Sequence, residues 1–108
     1  MVSEKAVVET VTGLRDYELT VIVKPDMDEE KLEARLNAIS QFITDRGGVV
    51  SEIQKWGKRK LGYPIKKSLE GIYFLFKCKM KPATGKELEG NLRISEDVLR
   101  HLLIVVES

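Results

Sequence analysis

Tyr17-Glu-Leu-Thr-Val-Ile-Val23 and the run that follows it to Gly48 decide the fold. The first seven residues alternate and are rich in β-branched side chains, so they read as a strand. Tyr17, Leu19, Val21 and Val23 share one face, and Glu18, Thr20 and Ile22 share the other. Pro25 ends the strand, and the period then changes to that of a helix. Leu32, Leu36, Ile39 and Ile43 make one apolar stripe, widened by Phe42. Asp26 or Asp28 caps its start, and Glu29, Glu30 and Glu33 crowd its first turns, where the helix dipole favours anions. Gly47-Gly48, after Arg46, supplies a left-handed stop.

Working outward, the same alternation of elements recurs. Val49 to Trp56 resumes β character and a basic segment follows. Lys66 to Gly71 reads as the polar loop of a hairpin. Ile72, Phe74, Phe76, Cys78 and Met80 then alternate with Tyr73, Leu75, Lys77, Lys79 and Lys81, which predicts a strand with one buried face and one face bearing lysines. Pro82 interrupts. Thr84-Gly85-Lys86-Glu87 has the spacing of a capping box, and Leu88 and Leu92 mark a short second helix. Val98 to Val106 is almost wholly apolar and reads as a central strand. The order strand, helix, strand, strand, helix, strand predicts an α+β fold of the ferredoxin-like split βαβ plan. Its four-stranded antiparallel sheet carries both helices on one face and leaves the other face open. Residues 1–14 show no clear period and are expected to form a mobile extension ahead of a domain over 15–108.

A chain of 108 residues has room for one modest core. No apolar run approaches the roughly 18–20 residues that a membrane span needs, and no secretory signal pattern opens the chain. The single cysteine, Cys78, allows no internal disulfide, so a reducing, cytosolic setting is expected, and its place on the apolar face predicts packing rather than chemistry. One histidine and one cysteine do not make a zinc site. His101 beside Arg100 reads as a satisfied or interface histidine, and the carboxylates from Asp26 to Glu33 read as helix capping rather than a metal site. No phosphate-cradling glycine loop and no nucleophile with an evident base is present, so no cofactor and no small-molecule substrate are expected.

The formal net charge of +1 hides a division. Lys55, Lys58, Arg59, Lys60, Lys66, Lys67, Lys77, Lys79, Lys81 and Lys86 are opposed only by Glu70, which leaves this stretch at about +9 and the rest of the chain at about −8. The most informative motif is Trp56-Gly-Lys-Arg-Lys-Leu-Gly-Tyr-Pro-Ile-Lys-Lys67. Lysine and arginine bind phosphates, arginine bidentately. Trp56 and Tyr63 offer stacking faces to unpaired bases. Gly57 and Gly62 let the backbone bend, and Pro64 places this stretch at an edge or a bulge. A basic edge strand protected from aggregation by its lysines is the plain alternative. Glu70 to Phe76 only faintly echoes the aromatic strand of RRM domains and is read as a core strand.

With these residues in view, the chain resembles the S-six family of bacterial small-subunit ribosomal proteins. The resemblance rests on Tyr17-Glu18, Lys24-Pro25-Asp26, Trp56 to Ile65, Gly71, Tyr73, and Leu92-Arg-Ile-Ser-Glu-Asp-Val-Leu-Arg-His101, and it spans roughly residues 15–106. It implies a non-enzymatic protein of the cytoplasmic ribosome that binds small-subunit ribosomal RNA in the central platform. It also implies pairing with ribosomal protein S-eighteen, and so a role in subunit assembly and translation. By the same resemblance Lys58, Arg59 and Lys60 are expected phosphate contacts, Tyr63 is expected to shape the strand or meet RNA, and Arg93 to meet RNA or the partner, while Trp56 is an expected RNA-binding residue by its stacking face. Arg100, Lys66 and Lys67 are expected to meet either the RNA or the partner protein.

Three other readings compete. An independent RRM-like binder would hold single strands without a partner, through Tyr73. An acylphosphatase-type enzyme would need an arginine in a phosphate-cradling loop after the first strand, where this chain has Lys24-Pro-Asp-Met-Asp28. A metabolite-sensing dimer would use the open sheet face.

Overall fold

The computed structural model describes residues 13–106. The elements are β1 (Arg15–Val23), α1 (Glu29–Asp45), β2 (Val49–Ile65), β3 (Ser68–Met80), α2 (Pro82–Ile94) and β4 (Val98–Val105). The four strands form one sheet in the order β2-β3-β1-β4, every neighbour antiparallel, as the split βαβ plan requires. The expected extension over residues 1–14 lies almost wholly outside the described residues.

The predicted faces of the two inner strands are the observed ones. Tyr17, Leu19, Val21 and Val23 of β1 pair with Cys78, Phe76, Phe74 and Ile72 of β3, and all eight are buried. Leu36, Ile39 and Ile43 of α1 and Leu88 and Leu92 of α2 close over this face to complete the core. Each buried Leu, Ile or Phe contributes about 1.5–3 kcal/mol through apolar area removed from water. Cys78 is a core residue, as its place in the alternation predicts.

The helix ends follow local chemistry. Asp28 Oδ1 accepts from the Lys31 N–H at 2.8 Å, satisfying one orphan donor at the start of α1. At its end the Gly47 N–H donates to the Thr44 carbonyl (3.1 Å) and the Gly48 N–H to the Ile43 carbonyl (2.9 Å), the Schellman pattern. Gly47 takes the left-handed conformation this needs, with φ +81°.

Three expectations are corrected. The capping box at Thr84–Glu87 does not form. α2 starts earlier, at Pro82, with Lys81 in the cap position and no side-chain cap bond. Proline needs no partner for its nitrogen, and its fixed φ suits the first helical position. Thr84 is instead buried in the first turn, and Glu87 pairs at 3.0 Å with Arg46, the residue that caps the C-terminus of α1. The hairpin loop is also shorter than Lys66 to Gly71. Only Lys66 and Lys67 turn, both with positive φ (48° and 67°), and β3 begins at Ser68. Finally, Val98–Val105 is an edge strand rather than a central one. Its apolar run leaves Leu102 and Ile104 about half exposed on the open face of the sheet.

Candidate nucleic-acid interface

β1 pairs with β3 only as far as Val23 opposite Ile72. β2 and β3 continue past that point, with Arg59 opposite Gly71, Lys60 opposite Glu70 and Ile65 opposite Ser68. The hairpin therefore leaves the sheet as a two-stranded arm, and most of the Trp56–Lys67 motif lies on it. Alternation puts Lys58 and Lys60 on one face of the arm and Arg59 on the other. The three cations do not line up as one strip. They flank the arm on both sides, and all are exposed.

Two irregularities shape the arm. At Trp56 the register slips between Lys55 and Gly57, and Gly57 takes φ +84° to accommodate the bulge. The indole Nε1 donates to Gln54 Oε1 at 3.0 Å, and the Arg59 guanidinium lies 5.7 Å from the ring centroid. Trp56 is thus oriented at its polar edge and remains 42% exposed, which leaves indole surface for a partner. Between Lys60 and Ile65 the register slips again, so Leu61 to Pro64 face only Leu69 on the opposite strand. Pro64 sits in this wide bulge, as a residue without an N–H donor should.

The bulge carries Tyr63 across the sheet towards β4. Its hydroxyl accepts from Arg100 Nη1 at 2.8 Å. Lys66, in the turn, donates from Nζ to the Val98 carbonyl at 3.0 Å. Lys66, Arg93, Arg100 and His101 line one cavity of about 230 Å³ with Leu92, Val98 and Leu99. The structure therefore divides the expected site residues into two groups. Trp56 and Lys58 lie at the root of the arm, where β3 is still paired with β1, and Arg59 and Lys60 lie on the arm itself. Tyr63, Lys66, Arg93 and Arg100 converge where the arm tip, the C-terminal end of α2 and the start of β4 meet, with Lys67 in the turn beside them.

Two further cations of the basic stretch lie away from the arm. Lys77 and Lys79 lie on the open face, where Glu18 and Asp16 of β1 oppose them in register. Both fall outside the Trp56–Lys67 motif, on the lysine-bearing face of β3 that the sequence predicts. The alternation of β3 is the signal that finds them. His101 faces away from that surface and pairs with Glu89 of α2 at 3.5 Å, which fits its reading as a satisfied histidine. Among the described residues no cluster of three His, Cys, Asp or Glu side chains could hold a metal ion, and no helix is long and apolar enough to cross a membrane.

Comparison with known proteins matches this geometry. The family model described as Ribosomal protein S6 matches residues 16–105. The small ribosomal subunit protein bS6 of Dehalococcoides mccartyi (strain CBDB1) is 43% identical over 104 residues, covering 96% of this chain and 95% of the relative. That of Carboxydothermus hydrogenoformans is 44% identical over 91 residues, covering 84% of this chain and 95% of the relative. The crystal structure of 30S ribosomal protein S6 from Thermotoga maritima superposes with a TM-score of 0.80 at 28% identity, over 86% of this chain and 88% of that one. The C-terminal domain of the MgtC protein from Mycobacterium tuberculosis, at 20% identity and a TM-score of 0.61, shares the fold alone. With the matched model spanning all four strands and both helices, the chain belongs to the ribosomal protein S6 family, the non-enzymatic S6 proteins of the small ribosomal subunit.

Proposed function

We propose that the protein binds small-subunit ribosomal RNA in the central platform, with the β2–β3 arm as its principal contact, together with ribosomal protein S-eighteen. The observation that carries this reading is the arm itself. It projects beyond β1, exposes cations on both faces, and carries a half-exposed indole at its root. Such an arm can enter between RNA backbones and neutralise phosphates on either side. Lys58, Arg59 and Lys60 supply those contacts, Trp56 supplies stacking surface, and Arg93 adds a cation at the arm tip. Lys67 completes the basic tip for RNA or partner.

A protein partner is supported by the open face, where Leu102 and Ile104 leave an apolar surface beside Arg100. With a net charge of only +1, affinity for RNA alone is modest, and a joint surface with a second RNA-binding protein raises it. The role is assembly of the small subunit on the ribosome in the cytoplasm, and through it translation.

The test is binding to a platform fragment of small-subunit ribosomal RNA across a salt series, with and without S-eighteen. Tight binding only with the partner is expected. In the Lys58→Ala/Arg59→Ala/Lys60→Ala variant the salt slope should shrink by up to about 0.9 for each phosphate left without its cation. Equal binding without the partner would move the assignment to an independent RRM-like binder. No binding in either condition would overturn it.

A further inference from the structure

We infer that Arg100 and Tyr63 form a latch, seconded by Lys66, that holds the β2–β3 arm against β4. They then serve the RNA interface as positioning residues, not as phosphate contacts. This rests on the proposal that the arm binds RNA, and it separates residues that touch RNA from residues that aim the arm.

The arm needs such a device. Beyond Ile72 it has no neighbour in the sheet, and a lone two-stranded hairpin is marginal in water. Its turn is unfavourable as well. Lys66 and Lys67 are adjacent like charges that both adopt positive φ, a conformation hairpin turns usually give to Asn and Gly. Local preference therefore does not hold the arm in place, and tertiary contacts must.

Those contacts reach past two strands. The sheet order is β2-β3-β1-β4, yet Tyr63 and Lys66 from the end of β2 and its turn bond Arg100 and Val98 of β4. The bulge from Leu61 to Pro64 supplies the extra chain for this reach. Leu61 follows the same path. Its Cδ2 lies 3.5 Å from where a Cβ on Gly71 would sit, and Ile22 Cγ2 lies closer still on the same side. Ile22 belongs to the open face and yet is buried, consistent with cover from the arm. Lys66 spends one ammonium donor on the Val98 carbonyl, and that bond is half-buried. The Arg100 bond to the Tyr63 hydroxyl is charge-assisted but exposed, so water screens part of its strength, and the half-buried Lys66 bond backs it.

The experiment compares Tyr63→Phe, Arg100→Gln, Arg100→Lys and the Tyr63→Phe/Arg100→Gln pair in the full chain. The first readout needs no RNA: amide hydrogen exchange of Lys58 to Glu70 in the free protein. Loss of this exposed charge-assisted bond should speed exchange in the arm by about threefold, while β1 amides stay unchanged. Arg100→Lys, which keeps a donor, should restore much of the protection. The second readout is the salt series on the platform RNA fragment with S-eighteen present. Tyr63→Phe should weaken binding severalfold with an unchanged salt slope, and the double variant should be no weaker than Arg100→Gln. The latch is overturned if arm exchange in Tyr63→Phe matches wild type. Its positioning role is overturned if Tyr63→Phe binds RNA like wild type while Arg100→Gln lowers the slope by about 0.9, the sign of a direct phosphate contact. Failure of the wild-type protein to bind RNA would remove the RNA reading, and the exchange result would still decide the latch.

Discussion

Arg35 of α1 and Asp97 of the α2–β4 connection form a bidentate ion pair, Nε to Oδ2 at 2.8 Å and Nη2 to Oδ1 at 2.7 Å. The backbone carbonyl of Asp97 also accepts the Lys24 N–H at 3.0 Å. One residue thus ties the exit of β1 and the middle of α1 to the entry of β4. The pair is mostly shielded, with side-chain exposures of 22% and 26%, so it escapes much of the screening that weakens surface pairs. Asp97→Asn should lower stability by about 1–2 kcal/mol, read as a fall in urea midpoint at constant m-value. An unchanged midpoint would show that the pair contributes nothing net.

The C-terminal turn of α1 is close-packed as well as left-handed. A Cβ at position 48 would sit 2.6 Å from Ile43 Cγ2 and 2.7 Å from the Lys79 carbonyl oxygen. The carbonyl belongs to β3 and cannot rotate away. Gly48→Ala should cost about 2 kcal/mol or more, since strain of this kind forces backbone to shift. Gly47→Ala, which meets open space but keeps φ +81°, should cost about 1 kcal/mol. Thermal unfolding of the two variants should therefore rank Gly48→Ala below Gly47→Ala.

Trp56 is the only tryptophan of the chain, and it sits on the proposed interface. Its fluorescence should change on addition of platform RNA with S-eighteen present, and the change should reverse as salt is raised. Trp56→Phe should weaken binding by about 1 kcal/mol or more through reduced stacking, with the salt slope preserved. A fluorescence signal indifferent to RNA would place Trp56 outside the interface.

Burial pushes the Cys78 thiol up from 9.0 to about 11, and burial likewise raises the Tyr17 hydroxyl, partly offset by Arg15. Both groups are neutral when protonated, and the folded state favours the proton. Their contribution is therefore complete below the unfolded pKa and lost as pH rises through the folded one. For Cys78 that loss begins near pH 9.0 and ends near 11, and amounts to about 2–3 kcal/mol. Urea midpoints should be flat through pH 8 with respect to this group and fall above 9, less steeply in Cys78→Ala. In the native protein at pH 8 a thiol reagent should label Cys78 only at the rate of opening.

Much of the fold is legible in the chain because it is local. The period of two in Tyr17–Val23 and Ile72–Met80, the stripe on α1, the Asp28 cap and the Gly47-Gly48 stop each depend on residues a few positions apart. Where local signals compete, the sequence misleads. Thr84 and Glu87 have the spacing of a capping box, but Pro82 is already suited to the first helical turn, and the helix begins there. Lys66 to Gly71 looks like a loop by composition, but pairing with β2 draws Ser68 to Gly71 into the ladder.

Local chemistry along the chain is enough to set the order of elements, the core face of each inner strand and the concentration of cations between Lys55 and Lys86. It does so because propensity, capping and alternation act over one or two turns of chain. Tertiary structure alone decided that the most apolar strand lies at an edge, since strand order follows from the crossover connections and not from the composition of β4. It also decided how the cations are grouped. Arg100 meets Tyr63 from 37 positions away, and Lys66 meets Val98 from 32. Such pairs form only where the bulged arm folds back across the sheet, and no period along the chain records that path.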